Sequence, residues 1–261
     1  MKTHFMAPAV MVFALGACQT ASSPSGEADL SVYESALLAD YRTDEDRAKD
    51  DVRLPVETLA FMDIEPSDTV VELEAGGGYF TALLAASVGP EGRVWMQNPA
   101  VFDQFWGGGN PPRLETFPGQ VIYLRSDFDN LSVVETGSVD VVTWVQGPHE
   151  LWYLPEGATE PLGDPAKTFS EIARVLKNGG SLYVQDHRAP AGAPTETGGQ
   201  THRIDPDHID TLAVSTGLTL TDTSDLFANP NDDLTVNVFD ESVRGQTDQF
   251  LARYQKQWAE H

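Results

Sequence analysis

The feature that most constrains this chain is an apolar segment that runs directly into a cluster of three glycines. Residues 69–73 have strand character, Gly76, Gly77 and Gly78 follow, and residues 79–88 carry apolar side chains at helical spacing. Glycine permits a sharp turn and close approach of a ligand to the backbone, and the first turn of the next helix presents free N–H groups. This order of elements predicts a nucleotide-binding cradle in an α/β sheet.

The rest of the chain alternates between strand and helix patterns. We predict strands at 69–73, 92–97, 120–124, 139–145 and 181–185, and a terminal pair at 218–223 and 234–239. Helices are predicted at 28–40, 44–62, 79–88, 163–176, 206–216 and 246–258, with a short one at 99–106. The alternation predicts an α/β fold with a Rossmann-like, doubly wound sheet. That sheet is mostly parallel, has an antiparallel last strand and forms a three-layer α/β/α arrangement.

The N-terminus predicts export and lipidation. Residues 5–14 are apolar but too few to span a bilayer, and the sequence Leu15-Gly16-Ala17-Cys18 resembles a bacterial lipoprotein signal. We expect a signal peptide at 1–17, a lipidated Cys18, a flexible tether at 18–29 and one domain at 30–261. Gln19 after the cysteine implies the periplasmic face of the outer membrane. The alternative is an ordinary cleaved signal peptide.

The charge of the chain excludes one class of partner. The formal net charge is −24 and the pI is near 4.3, so the field of the protein repels phosphates. We therefore expect no nucleic-acid partner. A membrane contact is expected only through the lipid anchor, and the oligomeric state is left open.

Several segments together resemble class I methyltransferases that depend on S-adenosylmethionine (SAM). They resemble most closely the exported bacterial group named "predicted methyltransferases". The resemblance covers roughly residues 44–256 and implies SAM as the cofactor and a small-molecule substrate. The segments that carry it are Val70–Thr81, Trp144–His149, Leu176–Gly180, Asp186–Ala189, His202–Asp205, Asn237–Asp240 and Arg244-Gly245.

In this family the glycine turn holds the cofactor. Its pattern is an acidic residue followed by three glycines at alternate positions. Glu72 takes the acidic position, Gly76 and Gly78 take the last two glycine positions, and Glu74 replaces the first glycine. A dinucleotide fingerprint would need a third glycine where Thr81 stands, which makes NAD the weaker interpretation. Two outcomes are open for Glu74: it pairs with the ammonium or sulfonium of SAM, or it crowds out the methionine end.

The ends of the second and third strands complete the implied cofactor site. Gln97 and Asn98 stand where such enzymes place a carboxylate on the ribose hydroxyls, and an amide can still hydrogen-bond a diol. The resemblance implies that Asp127 accepts from the adenine amine and that Phe128 lies against the ring. Capping of a local turn by Asp127 is the alternative.

Three residues are candidates for catalysis at the carboxyl ends of the fourth and fifth strands. His149 or His187 would act as a general base on a hydroxyl or amine nucleophile, with Asp186 as the orienting partner. Asp186 and His187 point to opposite faces if the strand continues, which disfavours that pairing. A metal site built from His149, His187, His202 and Asp205 has no recognised ligand spacing, so no metal is expected.

Export separates this protein from cytoplasmic SAM, and three interpretations remain open. The first is an active methyltransferase that acts on a small molecule or an envelope component. The second is a catalytically retired methyltransferase scaffold that binds a nucleoside-type ligand. The third is a structural envelope lipoprotein in which the glycine turn has no ligand.

Overall fold

The computed structural model describes Met1 and residues 30–258, so Cys18 and the predicted tether lie outside the described residues. The strands belong to one seven-stranded sheet. Their bounds are β1 Thr69–Leu73, β2 Arg93–Asn98, β3 Val121–Arg125, β4 Val139–Val145, β5 Leu176–His187, β6 Leu218–Ser224 and β7 Gln249–Lys256.

Helices cover both faces of this sheet and connect its strands. The α-helices are α1 Ser31–Ala36, α2 Asp44–Arg47, α3 Asp50–Arg53, α4 Pro55–Met62, α5 Tyr79–Val88, α6 Pro165–Val175, α7 Thr197–Thr201 and α8 Pro206–Ser215. Short 3₁₀ segments lie at Ala100–Trp106, Pro112–Thr116 and Pro148–Trp152. No helix in the described part of the chain is both long and apolar enough to cross a membrane.

The strand order places the carboxyl ends of β1 and β4 side by side. The order across the sheet is β3-β2-β1-β4-β5-β7-β6, with β7 antiparallel to both of its neighbours. The chain order reverses between β1 and β4, where Leu73 is the register partner of Trp144. Ligands of open α/β sheets bind at such a switch point, beyond the carboxyl ends of the strands. The glycine turn predicted from sequence begins at this point.

This arrangement confirms the predicted fold class, and the predicted strand at 139–145 and helix at 79–88 have the predicted bounds. The hydrophobic core forms on both faces of the sheet. Trp144, Phe128 and Phe169 belong to one cluster, and Leu59 and Leu83 belong to the other. Each of these five side chains is fully buried.

Two C-terminal predictions are wrong. Residues 246–258 were expected to be a helix, but β7 runs through Gln249–Lys256 and pairs with β5 and β6. Phe250, Leu251 and Tyr254 are all buried, and their spacing imitates a helical face because this strand is covered on both sides. The segment 234–239 was expected to be a strand, but it contains no strand. In that loop, side chains of Asp and Asn residues accept backbone N–H bonds that a strand would need for its ladder.

The helices that precede β1 are shorter than the predicted helices at 28–40 and 44–62. The predicted helix at 44–62 is divided into α2, α3 and α4, because Pro55 lacks an N–H and can only begin a helix. Leu54 before it takes a left-handed conformation with φ 42°. These breaks fold the N-terminal segments over the glycine turn, so that they supply residues to the site described next.

Candidate active site

The glycine turn lies between β1 and α5 and is fixed by its packing. Gly78 has a φ of 85°, and a Cβ atom there would lie 2.7 Å from the ring of Phe117. Glycine is therefore required at this position both for conformation and for space. Gly76 also has a positive φ of 56°, but a Cβ atom there would meet nothing within 4 Å. The space in front of Gly76 is open.

A cavity of about 510 Å³ opens on this turn, which is within the usual range for small-molecule sites. The glycine turn and the end of β1 contribute to its lining, as do the N-terminal helices and Arg113. Arg113 pairs with Asp46 at 2.7 Å and donates to the carbonyl of Gly77 at 3.1 Å. This bridge holds the N-terminal segment against the glycine turn.

Opposite charges line the cavity. Arg53 contributes a guanidinium that stacks over the ring of Tyr79 at 4.5 Å, and Lys49 also lines the cavity. The acidic residues of the lining are Glu45, Asp46, Glu72 and Glu74. A ligand that carries both a carboxylate and a cationic group complements this distribution.

Glu72 is the acidic residue of the turn motif, and it is buried at the end of β1. The hydroxyl of Thr81 donates to its carboxylate at 2.5 Å. Burial raises the pKa of Glu72 to about 8, although Thr81 and Arg53 act in the opposite direction. A cationic ligand would stabilise the ionised carboxylate that burial disfavours.

Glu74 stands where the family has glycine and takes a left-handed conformation with φ 55°. Its carboxyl group accepts from the indole Nε1 of Trp144 at 3.0 Å. Burial, followed by the carboxylate of Glu150, raises the pKa of Glu74 well above its usual range. The side chain is held against β4 and lines the cavity without closing it.

The amide side chains at the end of β2 brace the glycine turn. Gln97 accepts from the backbone N–H of Glu74 at 2.9 Å and donates to the carbonyl of Ser126. Asn98 accepts from the N–H of Gly76 at 2.7 Å and donates to its carbonyl at 3.1 Å. Both amides are fully buried. The expected contact with ribose hydroxyls would have to compete with these internal bonds.

Asp127 and Phe128, the two residues expected around adenine, lie in different environments. Asp127 is exposed on the surface, whereas Phe128 is fully buried and packs on Trp144 with ring centroids 4.9 Å apart. Neither residue lines the cavity at the glycine turn. The resemblance implied that Phe128 lies against the adenine ring, but the structure places this side chain in the hydrophobic core and outside the cavity lining.

The structure pairs Asp186 with His149. The carboxylate of Asp186 contacts His149 Nδ1 at 2.7 Å and accepts the His149 backbone N–H at 2.7 Å. Burial lowers the pKa of His149, but Asp186 and Glu150 more than compensate and raise it to about 10. Of the two candidate bases, His149 is the one whose ring contacts Asp186, whereas the ring of His187 contacts Thr247.

His187 lies near this pair and has a different environment. Its Nδ1 contacts the hydroxyl of Thr247 at 2.7 Å, and burial lowers its pKa to about 4. Asp205 is also engaged elsewhere, because it caps α8 and accepts the N–H of Gly192. The four-residue metal cluster considered from sequence does not assemble among the described residues, because His187 and Asp205 do not join the group in which the ligand atoms of His149 and His202 converge.

His202 lies at the C-terminal end of helix α7, where its ring contacts the ring of His149. Gly198 allows this packing, because a Cβ atom there would lie 2.5 Å from the carbonyl oxygen of His149. His202 ends the helix in a left-handed conformation with φ 55°, and its Nδ1 lies 3.2 Å from His149 Nε2 and 3.3 Å from Glu150 Oε1. Glu150 has a pKa lowered to about 2, because its bonds to both histidines outweigh the effect of burial.

A second cavity, of about 410 Å³, opens beside this cluster. Glu150 and His202 line one side, and most of the rest is aromatic or aliphatic. The aromatic lining residues are Phe102, Phe105, Tyr153 and Phe239. Glu74 lines the first cavity and Glu150 lines the second, and the two carboxyl groups are close enough for Glu150 to shift the pKa of Glu74.

Comparison with known proteins agrees with this arrangement. Residues 71–184 match the model of a methyltransferase domain family. The chain has the Rossmann-like fold of class I methyltransferases. Comparison with the sequences of curated proteins finds no match.

Solved methyltransferases share this fold at low sequence identity. A SAM-dependent methyltransferase from Aquifex aeolicus is 16% identical with a TM-score of 0.56, over 87% of this chain and 98% of that one. A chain from the Haloferax volcanii complex of the Trm112 methyltransferase activator is 22% identical with a TM-score of 0.58, over 83% and 95%. Geranyl diphosphate C-methyltransferase of Streptomyces coelicolor, solved with Mg²⁺ and S-adenosyl-L-homocysteine, is 19% identical with a TM-score of 0.55, over 78% and 77%.

Proposed function

We propose that this protein is a SAM-dependent methyltransferase that methylates a small molecule. The observation that carries the proposal is the cavity at the glycine turn, which lies at the switch point of the sheet and is lined by both Arg53 and Glu72. The methyltransferase domain match over residues 71–184 supports it, as do the segments that resemble exported bacterial methyltransferases.

The residues present fit the methionine end of the cofactor. Arg53 and Lys49 would hold its carboxylate, and Glu72 would face its ammonium or sulfonium group. When bound there, SAM would supply an electrophilic methyl group. The protein would then have to align an acceptor with that methyl group. Such alignment can account for most of the reduction of the activation barrier in a transfer of this kind.

The second cavity is the proposed acceptor site. Its aromatic walls suit an apolar small molecule, and Glu150 and His202 offer polar contacts on the side that lies towards Glu74. The acceptor class we propose is therefore a small, largely apolar molecule with one hydroxyl, thiol or amine group.

Ligand-dependent unfolding of the full chain tests cofactor binding. A ligand present at 100 times its Kd should add about 2.7 kcal/mol of stability, so SAM and S-adenosylhomocysteine should both raise Tm. Adenosine and NAD are the comparison ligands and should give smaller shifts. The absence of any shift with SAM and with S-adenosylhomocysteine would exclude the proposal.

A second function is favoured by one observation. The amides of Gln97 and Asn98 are bonded to the glycine turn and do not line the cavity, which weakens the case for a complete cofactor site. A retired scaffold that binds a nucleoside-type ligand would show thermal shifts with SAM or adenosine but no transfer of label from methyl-labelled SAM to any acceptor. Transfer of label would decide in favour of the enzyme.

We also propose that the protein is anchored to the cell envelope through a lipid on Cys18. The sequence from Leu15 to Cys18, with the apolar run before it, supports this proposal. In cells, Cys18→Ala should move the protein from the membrane fraction to the soluble fraction and abolish incorporation of labelled fatty acid. Unchanged labelling of the variant would exclude Cys18 as the anchor.

A further inference from the structure

Three potential metal ligands converge beside the second cavity. His149 Nε2, His202 Nδ1 and Glu150 Oε1 are separated by 3.2 Å, 3.3 Å and 3.4 Å, so they form a nearly equilateral triangle. Ligands that lie about 2.0–2.1 Å from Zn²⁺ at tetrahedral angles are roughly 3.3 Å apart. The triangle thus has the size of one face of a tetrahedral zinc site.

The surroundings of the triangle match those of known metal centres. His149 Nδ1 lies 2.7 Å from Asp186, and such a carboxylate fixes the ring so that Nε2 faces the ion. The Asp186 carboxylate also accepts the backbone N–H groups of His149 and His187, which holds it in place. The ligating side chains are only 4% to 14% exposed, so their geometry is fixed by packing.

We propose that His149, Glu150 and His202 bind a divalent transition-metal ion, with Zn²⁺ as the best fit. Two imidazoles and one carboxylate are a common ligand set for catalytic zinc, which keeps its fourth position open. Glu150 and His202 line the second cavity, so that open position would face the cavity. The ion would hold the hydroxyl or thiol of an acceptor there, a role that rests on the proposed methyltransferase function.

The left-handed backbone of His202 is consistent with this role. A non-glycine residue in this conformation costs on the order of 1 kcal/mol or more and usually persists where function requires it. Here the conformation turns the ring of His202 towards His149 and Glu150.

Metal titration of the untagged full chain tests the site. The protein is stripped with a chelator, dialysed, and titrated with Zn²⁺ by calorimetry and with Co²⁺ by absorption spectroscopy. We expect one equivalent to bind and the Co²⁺ complex to show the intense visible bands of tetrahedral coordination. His202→Asn, which tolerates a left-handed backbone, and Glu150→Gln should each weaken binding by ~100-fold or more. His208→Asn removes a histidine that contacts a carbonyl elsewhere and should bind as the wild type does.

The proposal is overturned if the wild type takes up no Zn²⁺ at micromolar concentration, or if the two ligand variants bind as tightly as His208→Asn. Even if a variant fails to fold, the Co²⁺ spectrum of the wild type tests the proposal, because the absence of tetrahedral bands would contradict it. Metal uptake is measured without SAM, and SAM binding is measured on chelator-treated protein. Failure of the metal site and failure of the methyltransferase proposal are therefore observed separately.

Discussion

The carboxyl group of Glu74 accepts a hydrogen bond of 3.0 Å from the indole Nε1 of Trp144, which joins the glycine turn to β4. Trp144 is fully buried, so its indole N–H has no access to water. The bond turns the carboxyl group of Glu74 towards β4. Glu74, which departs from the family pattern of the turn, is thus held against β4 while it still lines the first cavity.

Loss of the acceptor at position 74 should destabilise the protein. Glu74→Ala leaves the buried indole N–H without an acceptor, and we expect a loss of about 1–3 kcal/mol in the free energy of unfolding. Glu74→Gln keeps an acceptor oxygen and should stay close to the wild type. Both replacements retain a Cβ atom at the left-handed position, so backbone strain is unchanged between them. Urea denaturation measures the difference, and equal stabilities of the two variants would show that the bond contributes nothing.

The stability of the protein should depend on pH through Glu72. Its pKa is raised by burial from about 4.5 in the unfolded chain to about 8 in the folded protein. Below the lower value the carboxyl group is protonated in both states and its contribution to stability is complete. As pH rises from there to about 8, the unfolded state ionises and the folded state does not, so stability falls by a few kcal/mol.

The variant Glu72→Gln isolates this effect. It should reduce the slope of the free energy of unfolding against pH over the same window, because the amide cannot ionise, and the remaining slope includes the contribution of Glu74, whose pKa is also raised. The matched control is Glu91→Gln, which removes an exposed carboxylate and should keep the wild-type slope. If the slope of Glu72→Gln equals that of the control, Glu72 does not carry the pH dependence.

Local patterns predicted the sheet and the turn well. The apolar runs at 69–73 and 139–145 specify buried parallel strands, and the glycines that follow the first run specify a sharp turn. These features depend on residues that are neighbours in sequence. Strand β7 was missed because its buried residues have helical spacing, and only its pairing with β5 and β6 decides between the two structures.

The side-chain partners in the site could not be predicted in the same way. His149 and His202 are 53 residues apart in the sequence. Arg53 lines the cavity from helix α3, and no sequence motif marks it as a site residue. The sequence placed Gln97 and Asn98 correctly at the end of β2. It could not show that their amides are bonded to the turn, because that depends on side-chain orientation after folding.

The buried ion pair between Arg203 and Asp232 should be essential for stability. Both side chains are fully buried, with contacts of 2.8 Å and 3.0 Å, and Arg203 also donates to the carbonyls of Val236 and Arg188. Asp232→Asn leaves the guanidinium without its counter-charge and should cost roughly 3–5 kcal/mol. Denaturant titration measures the loss.

The neighbouring residue provides the control for this pair. Asp233 is exposed, and its replacement by Asn should change the free energy of unfolding by less than about 0.5 kcal/mol. Arg203 lies directly after His202, so the same ion pair fixes the end of α7 beside the histidine cluster. A loss for Asp232→Asn as small as that for Asp233→Asn would mean that the loop relaxes and hydrates the arginine.

Arg53 should determine the affinity for SAM. Its guanidinium lines the cavity and stacks on Tyr79, and a hydrogen bond to a charged group contributes about 1.5–3 kcal/mol. Arg53→Met keeps apolar contact with Tyr79 and removes the charge, so Kd for SAM should rise by roughly 10- to 100-fold. The control is Arg47→Met, which removes an exposed arginine outside the cavity lining. Calorimetric titration of both variants measures the effect. An unchanged Kd in Arg53→Met would place the carboxylate of the cofactor elsewhere, because no other change in that variant could compensate for the lost charge.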